Sequence, residues 1–282
     1  MVAGITGEVI VEWIAPDGRR LHLDGGADAV REGIGLQDGA EGLGELNGEH
    51  NFGATAKQIG ETSLGVVFDH GEYDLPLFVY GKNSADLQHT REQLKSMFSR
   101  KQAGWLAVYT PVTGWRWSRC KLKSMRPSLA ASPYPSKFLA IDVVLVAEDP
   151  RSETRPYSSQ WRNKGGSGVG VLWLSPGIEW ASWPTFVVHG PGAVTLTVNG
   201  SKIRLPKLDA GERCLMQTDP SIGVLRSIAA DGRSTNRWPD VDGYLSAPLP
   251  EGRMSRVDIR VEDGNRDTAV MGHTRVYGEG LL

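Results

Sequence analysis

Six histidines, two cysteines and a set of carboxylates toward the C-terminal end are the residues of this chain that could hold a metal ion or move a proton. Their spacing supports neither use. His22, His50, His70, His89, His189 and His273 are scattered, with no pair at the short separation that brings two imidazoles onto one ion. Cys120 and Cys214 stand 94 residues apart without a CxxC spacing, so both are expected to be reduced. Asp240, Asp242, Asp258, Glu262, Asp263 and Asp267 could meet in space as the paired carboxylates of a glycoside hydrolase do, but nothing in their order along the chain selects a pair. The DGNRD segment at 263–267 lacks the glycine that a calcium-binding EF-hand loop needs at its sixth position. GGSGVG at 165–170 resembles a dinucleotide loop, yet it misses a glycine at position 171 and precedes a predicted strand instead of following one. GxxxxGK[ST], GxSxG and HExxH do not occur. The expectation is therefore no catalytic residues, no cofactor, no metal ligands and no enzymatic activity.

Tryptophan is the other residue type that could do binding chemistry, with nine among 22 aromatics. Trp115 and Trp117 are two apart on a predicted strand and so project from one face, where a sugar ring could stack on them. Trp173, Trp180 and Trp183 gather at the entry to a second β-rich stretch. In such a protein tryptophans more often fill a core or a subunit interface, and that reading is preferred.

The elements that position these residues read as strands. Glycine (35) and proline (16) make up about 18% of the 282 residues, against roughly 12% in an ordinary domain, which points to a turn-rich, mostly β chain. EVIVEWI (8–14), Pro16-Asp17-Gly18 and the run to Leu23 predict a hairpin, because the turn supplies a fixed φ and then a φ > 0 position. Residues 24–60 are glycine-rich and poorly patterned, and are read as a long loop or extended arm, with short strands possible. EYDLPLFVYG (72–81) is a compact apolar strand. One helix follows: Ser84 is the expected cap, Asp86 sits in the first turn, and Leu87, Leu94, Met97 and Phe98 share a face. GWLAVYT and GWRWSRCKLKSM predict another hairpin, and FLAIDVVLVAEDP (138–150) a long central strand.

Composition then shifts. The polar segment 151–168 reads as a linker or first rim, dividing the chain into residues 1–150 and 151–282. Beyond it only strand signals occur, as a β-sandwich requires. In EWASWPTFVVHGPGAVTLTVNG (179–200), Phe186 and Val188 share one face and Val194, Leu196 and Val198 another, so both strands offer an apolar side to one core, and Asn199-Gly200 supplies the next turn.

The formal net charge of −2, with lysines and arginines scattered, argues against a broad nucleic-acid or other polyanion surface. No run of eighteen apolar residues occurs, so no membrane span is expected. Glu8 and Glu12, without a basic stretch ahead of an apolar one, give no sign of a signal peptide, and synthesis in the cytosol is expected.

PGIEWASWPTFVVHGPGAVTLTVNG, preceded by VGVLWLS, resembles the start of the C-terminal domain of the distal tail proteins of long-tailed bacteriophages, often labelled minor tail proteins in phages of actinobacteria. The order of the first half is similar too: EYDLPLFVYG, the helix past Phe98, a glycine, the hairpin at 105–122, and a long strand ending in AEDP. The resemblance implies two domains. The first is a β-sandwich or split-barrel-like domain with one helix, which forms a ring of six copies at the end of the tail tube. The second is a galectin-like or carbohydrate-binding-module-like sandwich that projects outward. It further implies a virion structural protein at the tail tip, with the tail tube protein and tail-tip or baseplate hub proteins as partners, and receptor-binding proteins on the outer domain. The glycine-rich 24–60 would then be an inter-subunit belt. Segment 24–60 and the terminal MGHTRVYGEGLL are where the chain departs from the family's pattern. An adhesin that binds host glycans through its tryptophans, and a wall-degrading glycosidase, are the alternative readings.

Overall fold

In the computed structural model, which describes residues 8–44, 46–55, 58–128 and 137–282, alternating apolar positions become strands in two compact units. The first comprises the chain up to Thr154 together with Gly278–Leu282, and the second Arg155–Tyr277.

The first unit holds β1 (Ile10–Ile14), β2 (Arg20–Asp24), β3 (Ile34–Leu36), β4 (Gly48–Gly53), β5 (Thr62–Phe68), β6 (Gly71–Tyr80), α1 (Ser84–Ser96), β7 (Gly104–Thr110), β8 (Gly114–Ser128), β9 (Phe138–Ala147) and β10 (Ser152–Glu153). Its main sheet is antiparallel in the order β2-β1-β7-β8-β9-β6-β3. The two ends of this sheet approach each other, so it is nearly a closed barrel: the Val30 amide, ahead of β3, donates to the His22 carbonyl of β2 at 2.8 Å, and Glu32 accepts from the His22 amide at 3.1 Å. The turn between β1 and β2 is Pro16-Asp17-Gly18, with Gly18 at φ 88°, as the sequence predicts.

The barrel interior takes every second residue of its strands: Val11 and Trp13, Leu21 and Leu23, Leu75 and Leu77, Leu106 and Val108, Val143 and Leu145 are all buried. Helix α1 lays Leu87, Thr90 and Leu94 against this core. Its cap is Asn83, one residue before the expected Ser84. Asn83 has extended backbone and its side chain accepts from the Asp86 amide at 2.9 Å, while Asp86 in turn accepts from the Lys82 amide at 2.8 Å, so Ser84 lies inside the helix. Past the helix end, Phe98 stacks on Trp13 with ring centroids 4.7 Å apart, and the Trp13 indole N–H donates to the Met97 carbonyl at 3.0 Å.

The second unit holds β11 (Tyr157–Arg162), β12 (Val169–Leu174), β13 (Pro184–His189), β14 (Ala193–Val198), β15 (Ser201–Arg204), β16 (Arg213–Gln217), β17 (Leu225–Ile228), β18 (Ser234–Asn236), β19 (Ser255–Glu262) and β20 (Ala269–Thr274). Two antiparallel sheets, β11-β20-β13-β16-β17-β18 and β12-β19-β14-β15, enclose one core. Phe186 and Val188 face Val194, Leu196 and Val198 across it, all of them buried, each such side chain stabilising by roughly 1.5–3 kcal/mol before ordering costs. Asn199 and Gly200 join β14 to β15 with φ of 47° and 84°, the left-handed pair that a tight hairpin turn needs.

The chain then returns to the first unit through β21 (Tyr277–Gly278), which pairs with β10. Ser152 Oγ donates to the Gly278 and Gly280 carbonyls at 3.1 and 2.6 Å, Arg116 donates to the Gly280 carbonyl at 2.9 Å, and the Leu281 and Leu282 amides both reach the Leu43 carbonyl. Leu281 is wholly enclosed in the first core, whereas Leu282 is half exposed.

Among the described residues both cysteines are free thiols and buried. Burial pushes the Cys120 thiol up to about 12 and that of Cys214 to about 11.

Two outcomes follow. Leu281→Ala should destabilise the first unit by about 2–5 kcal/mol in urea unfolding followed by near-ultraviolet circular dichroism, with Leu282→Ala close to wild type. A thiol-reactive dye at pH 8 should label neither cysteine in the folded protein and both in urea, because reaction requires an exposed thiolate.

Candidate functional site

The fold disperses the groups that could do chemistry. His22 lies between Glu32 at 2.9 Å and Glu12 at 4.0 Å, His70 is 3.7 Å from Glu72, His50 stacks beside Phe52, and His273 meets Ser158 at 2.9 Å. His89 and His189 are exposed on α1 and β13. Among the described residues no three histidine, cysteine, aspartate or glutamate side chains gather as a metal would require. The C-terminal carboxylates face cations: Asp240 pairs with Arg237, Asp258 with Arg256, Glu262 with Arg204 and Asp263 with Lys207. Asp267 accepts from the Asn265 side chain, and the Asp242 backbone bridges to Arg204.

Several carboxyls are held below their ordinary range. Hydrogen bonds from Lys123, Lys95, Lys121 and Lys207 do this for Glu72, Glu92, Glu148 and Asp263, and the backbone amides of Arg19 and Arg233, followed by their side chains, for Asp17 and Asp231. That direction keeps a carboxylate ionised, the opposite of what a general acid needs at neutral pH.

What the first unit does present is unsatisfied apolar surface. Strands β4 and β5 form a two-stranded sheet of their own, hydrogen-bonded to no other strand among the described residues. Phe52, Leu64, Val66 and Val67 on this hairpin are 56%, 71%, 39% and 58% exposed. A lone two-stranded ribbon in water is marginally stable at best, and a concentration of large exposed side chains on it marks a surface that another molecule covers. The sequence predicts a long loop or extended arm over 24–60, with short strands possible. In the structure β3 is drawn into the barrel sheet, and β4, also within that stretch, pairs with β5. The missed strand was signalled by TSLGVVF, an apolar, β-branched run whose pattern Gly65 interrupts.

A second such surface lies on the barrel's outer face. Trp115 and Trp117 do project together: their rings stack 6.2 Å apart at 17°, and Tyr109 leans on Trp115 at 5.5 Å. Register brings Ile10, Ile14 and Trp105 beside them on the same face, around the covered Ala107, with the charged Glu12 and Arg119 among them. All three tryptophans are partly exposed. In the second unit, Trp183 packs against the core, while Trp173 stands out from β12.

No known family model matches the sequence, and no curated protein does. Solved structures do match the fold. The Dit protein (gp 19.1) of SPP1, described as a paradigm of the hub adsorption apparatus in phages that infect Gram-positive bacteria, is 10% identical with a TM-score of 0.64 over 96% of this chain and 99% of that one. A chain of the phage P2 baseplate in its activated conformation with Ca is 8% identical, TM-score 0.59, over 97% of this chain and 99% of its own. One from the activated phage p2 baseplate with Sr is 9% identical, TM-score 0.60, over 97% and 100%. With about nine residues in ten different, the likeness is one of fold, and it runs through nearly the whole length of all these chains.

Proposed function

We propose that this chain is a distal tail protein: a structural component of a phage tail tip that forms a ring of six copies and joins the tail tube to the baseplate proteins, without enzymatic activity. The observation that carries this reading is the agreement of fold with SPP1 Dit over 96% of the chain. The resemblance of the WPTFVVHGPG stretch to tail proteins of actinobacterial phages supports it independently.

The first unit supplies surfaces that a ring requires. In this reading the β4–β5 hairpin is the belt, and its exposed Phe52, Leu64, Val66 and Val67 are covered by a neighbouring copy. The aromatic face of β7 and β8 serves a further contact with the tube or hub. Closed cyclic symmetry lets each copy bury such surface against two neighbours. The second unit is the galectin-like domain; it faces outward and carries receptor-binding proteins. The protein resides in the virion tail tip after synthesis in the bacterial cytoplasm.

Purified protein should elute in light-scattering chromatography at several times its monomer mass and show annular particles in negative stain. Leu64→Asp with Val67→Asp should give a monomer whose two units still fold by circular dichroism, because neither side chain belongs to a core. Wild-type protein that stays monomeric at high concentration and is absent from purified tails would overturn the proposal.

A further inference from the structure

The outer face of the four-stranded sheet in the second unit forms a trough. Register aligns two rows across this face: Val169, Arg260, Thr195 and Arg204 in one, Val171, Asp258, Thr197 and Lys202 in the other. The intervening residues Leu172, Ile259, Leu196 and Ile203 point into the core. Strand β14 thus contributes only short threonines between its long-chained neighbours on β19 and β15. Strands lie about 4.8 Å apart, so the charged walls stand roughly 10 Å from each other across a low floor. The volume of this open trough is about 450 Å³. Glu262 of β19 reaches over β14 to Arg204 of β15 at 2.8 Å and bars the trough at one end.

Its charges do not cancel. Asp258 is paired with Arg256 at 2.7 Å and Glu262 with Arg204. Lys202 and Arg260 make no ion pair among the described residues, and the Thr195 and Thr197 hydroxyls make no hydrogen bond among them. Two uncompensated cations therefore stand on opposite sides of a floor of free hydroxyls. A group lying between them is favoured if it is anionic, since charge-assisted hydrogen bonds to phosphate or carboxylate are the strong ones open to Arg and Lys. Groups on either side of it are favoured if they are hydroxyls, which can exchange hydrogen bonds with Thr195, Thr197 and the carboxylates. The width suits one extended chain lying along β14.

We infer that this trough binds a hydroxyl-rich chain bearing phosphate or carboxylate groups, such as a polyol phosphate or an acidic oligosaccharide, with the anionic group held between Arg260 and Lys202. The site is additional to the assembly role. It is also compatible with a chain of net charge −2, because the excess is local and acts within about one Debye length.

The test is calorimetric titration of the full-length protein with short poly(glycerol phosphate), oligogalacturonate and neutral dextran of similar length. At least one anionic chain should bind and dextran should not, the stronger of the two showing whether phosphate or carboxylate is the preferred group. Raising salt from 50 to 200 mM should weaken the binding. Lys202→Ala with Arg260→Ala should weaken it by at least about tenfold at an unchanged Tm, since both side chains are exposed. Failure of both anionic chains to bind, equal binding by dextran, or undiminished binding by the double variant would overturn the inference. Ring formation is read separately, so such a result leaves the assembly proposal standing.

Discussion

The Trp13 side chain meets three demands of the first unit at once. Its indole N–H satisfies the Met97 carbonyl just past the helix, its face stacks on Phe98, and its edge fills the space beside Gly104, where a Cβ would collide with the ring. A buried N–H left without a partner costs about 1–3 kcal/mol, so the end of α1 is held where that carbonyl can be reached. Because α1 joins β6 to β7, fixing its end against β1 also fixes where β7 starts, and the register Ile10 to Tyr109 through Ile14 to Trp105 follows. The other barrel strands then share one interior.

That closure decides what is left over. A barrel that satisfies its own core has no room for β4 and β5, whose apolar side chains find no interior in their own unit. The same antiparallel pairing that buries Leu75 and Leu77 in β6 leaves Leu64 and Val67 in the open. The chain thus couples a packed scaffold to a hairpin that is marginally stable at best by itself, the distribution of surface on which the proposed assembly role draws.

Much of this was legible in local patterns. The turns at Pro16-Asp17-Gly18 and Asn199-Gly200 carry their φ requirements in their residue types, and both occur where expected. Alternation placed Phe186, Val188, Val194, Leu196 and Val198 in one core, and the two-residue spacing put Trp115 and Trp117 on one face. The helix was read from its apolar face, although its cap is Asn83, because both Asn83 and Ser84 suit the role and only the backbone conformation selects between them. Strand β5 carries no such signature because its side chains follow no core-facing alternation: neither face has a core to match. Leu281 gave no local signal at all, since its environment comes from the barrel core and from Leu43, which stands more than two hundred residues earlier in the sequence.

By itself, then, the amino-acid order determined strands, turns and one helix, and which residues share a side of each, because period-2 and period-3.6 spacing and the φ preferences of glycine, proline and asparagine act over a few residues. Only the tertiary structure decided which sides are covered. The exposure of the β4–β5 hairpin, the enclosure of Leu281 and the meeting of Arg260, Thr195 and Lys202 on one trough all depend on which strands become neighbours and in what register. That choice is made by closing cores between residues far apart in the chain, a long-range balance that no short stretch of sequence carries.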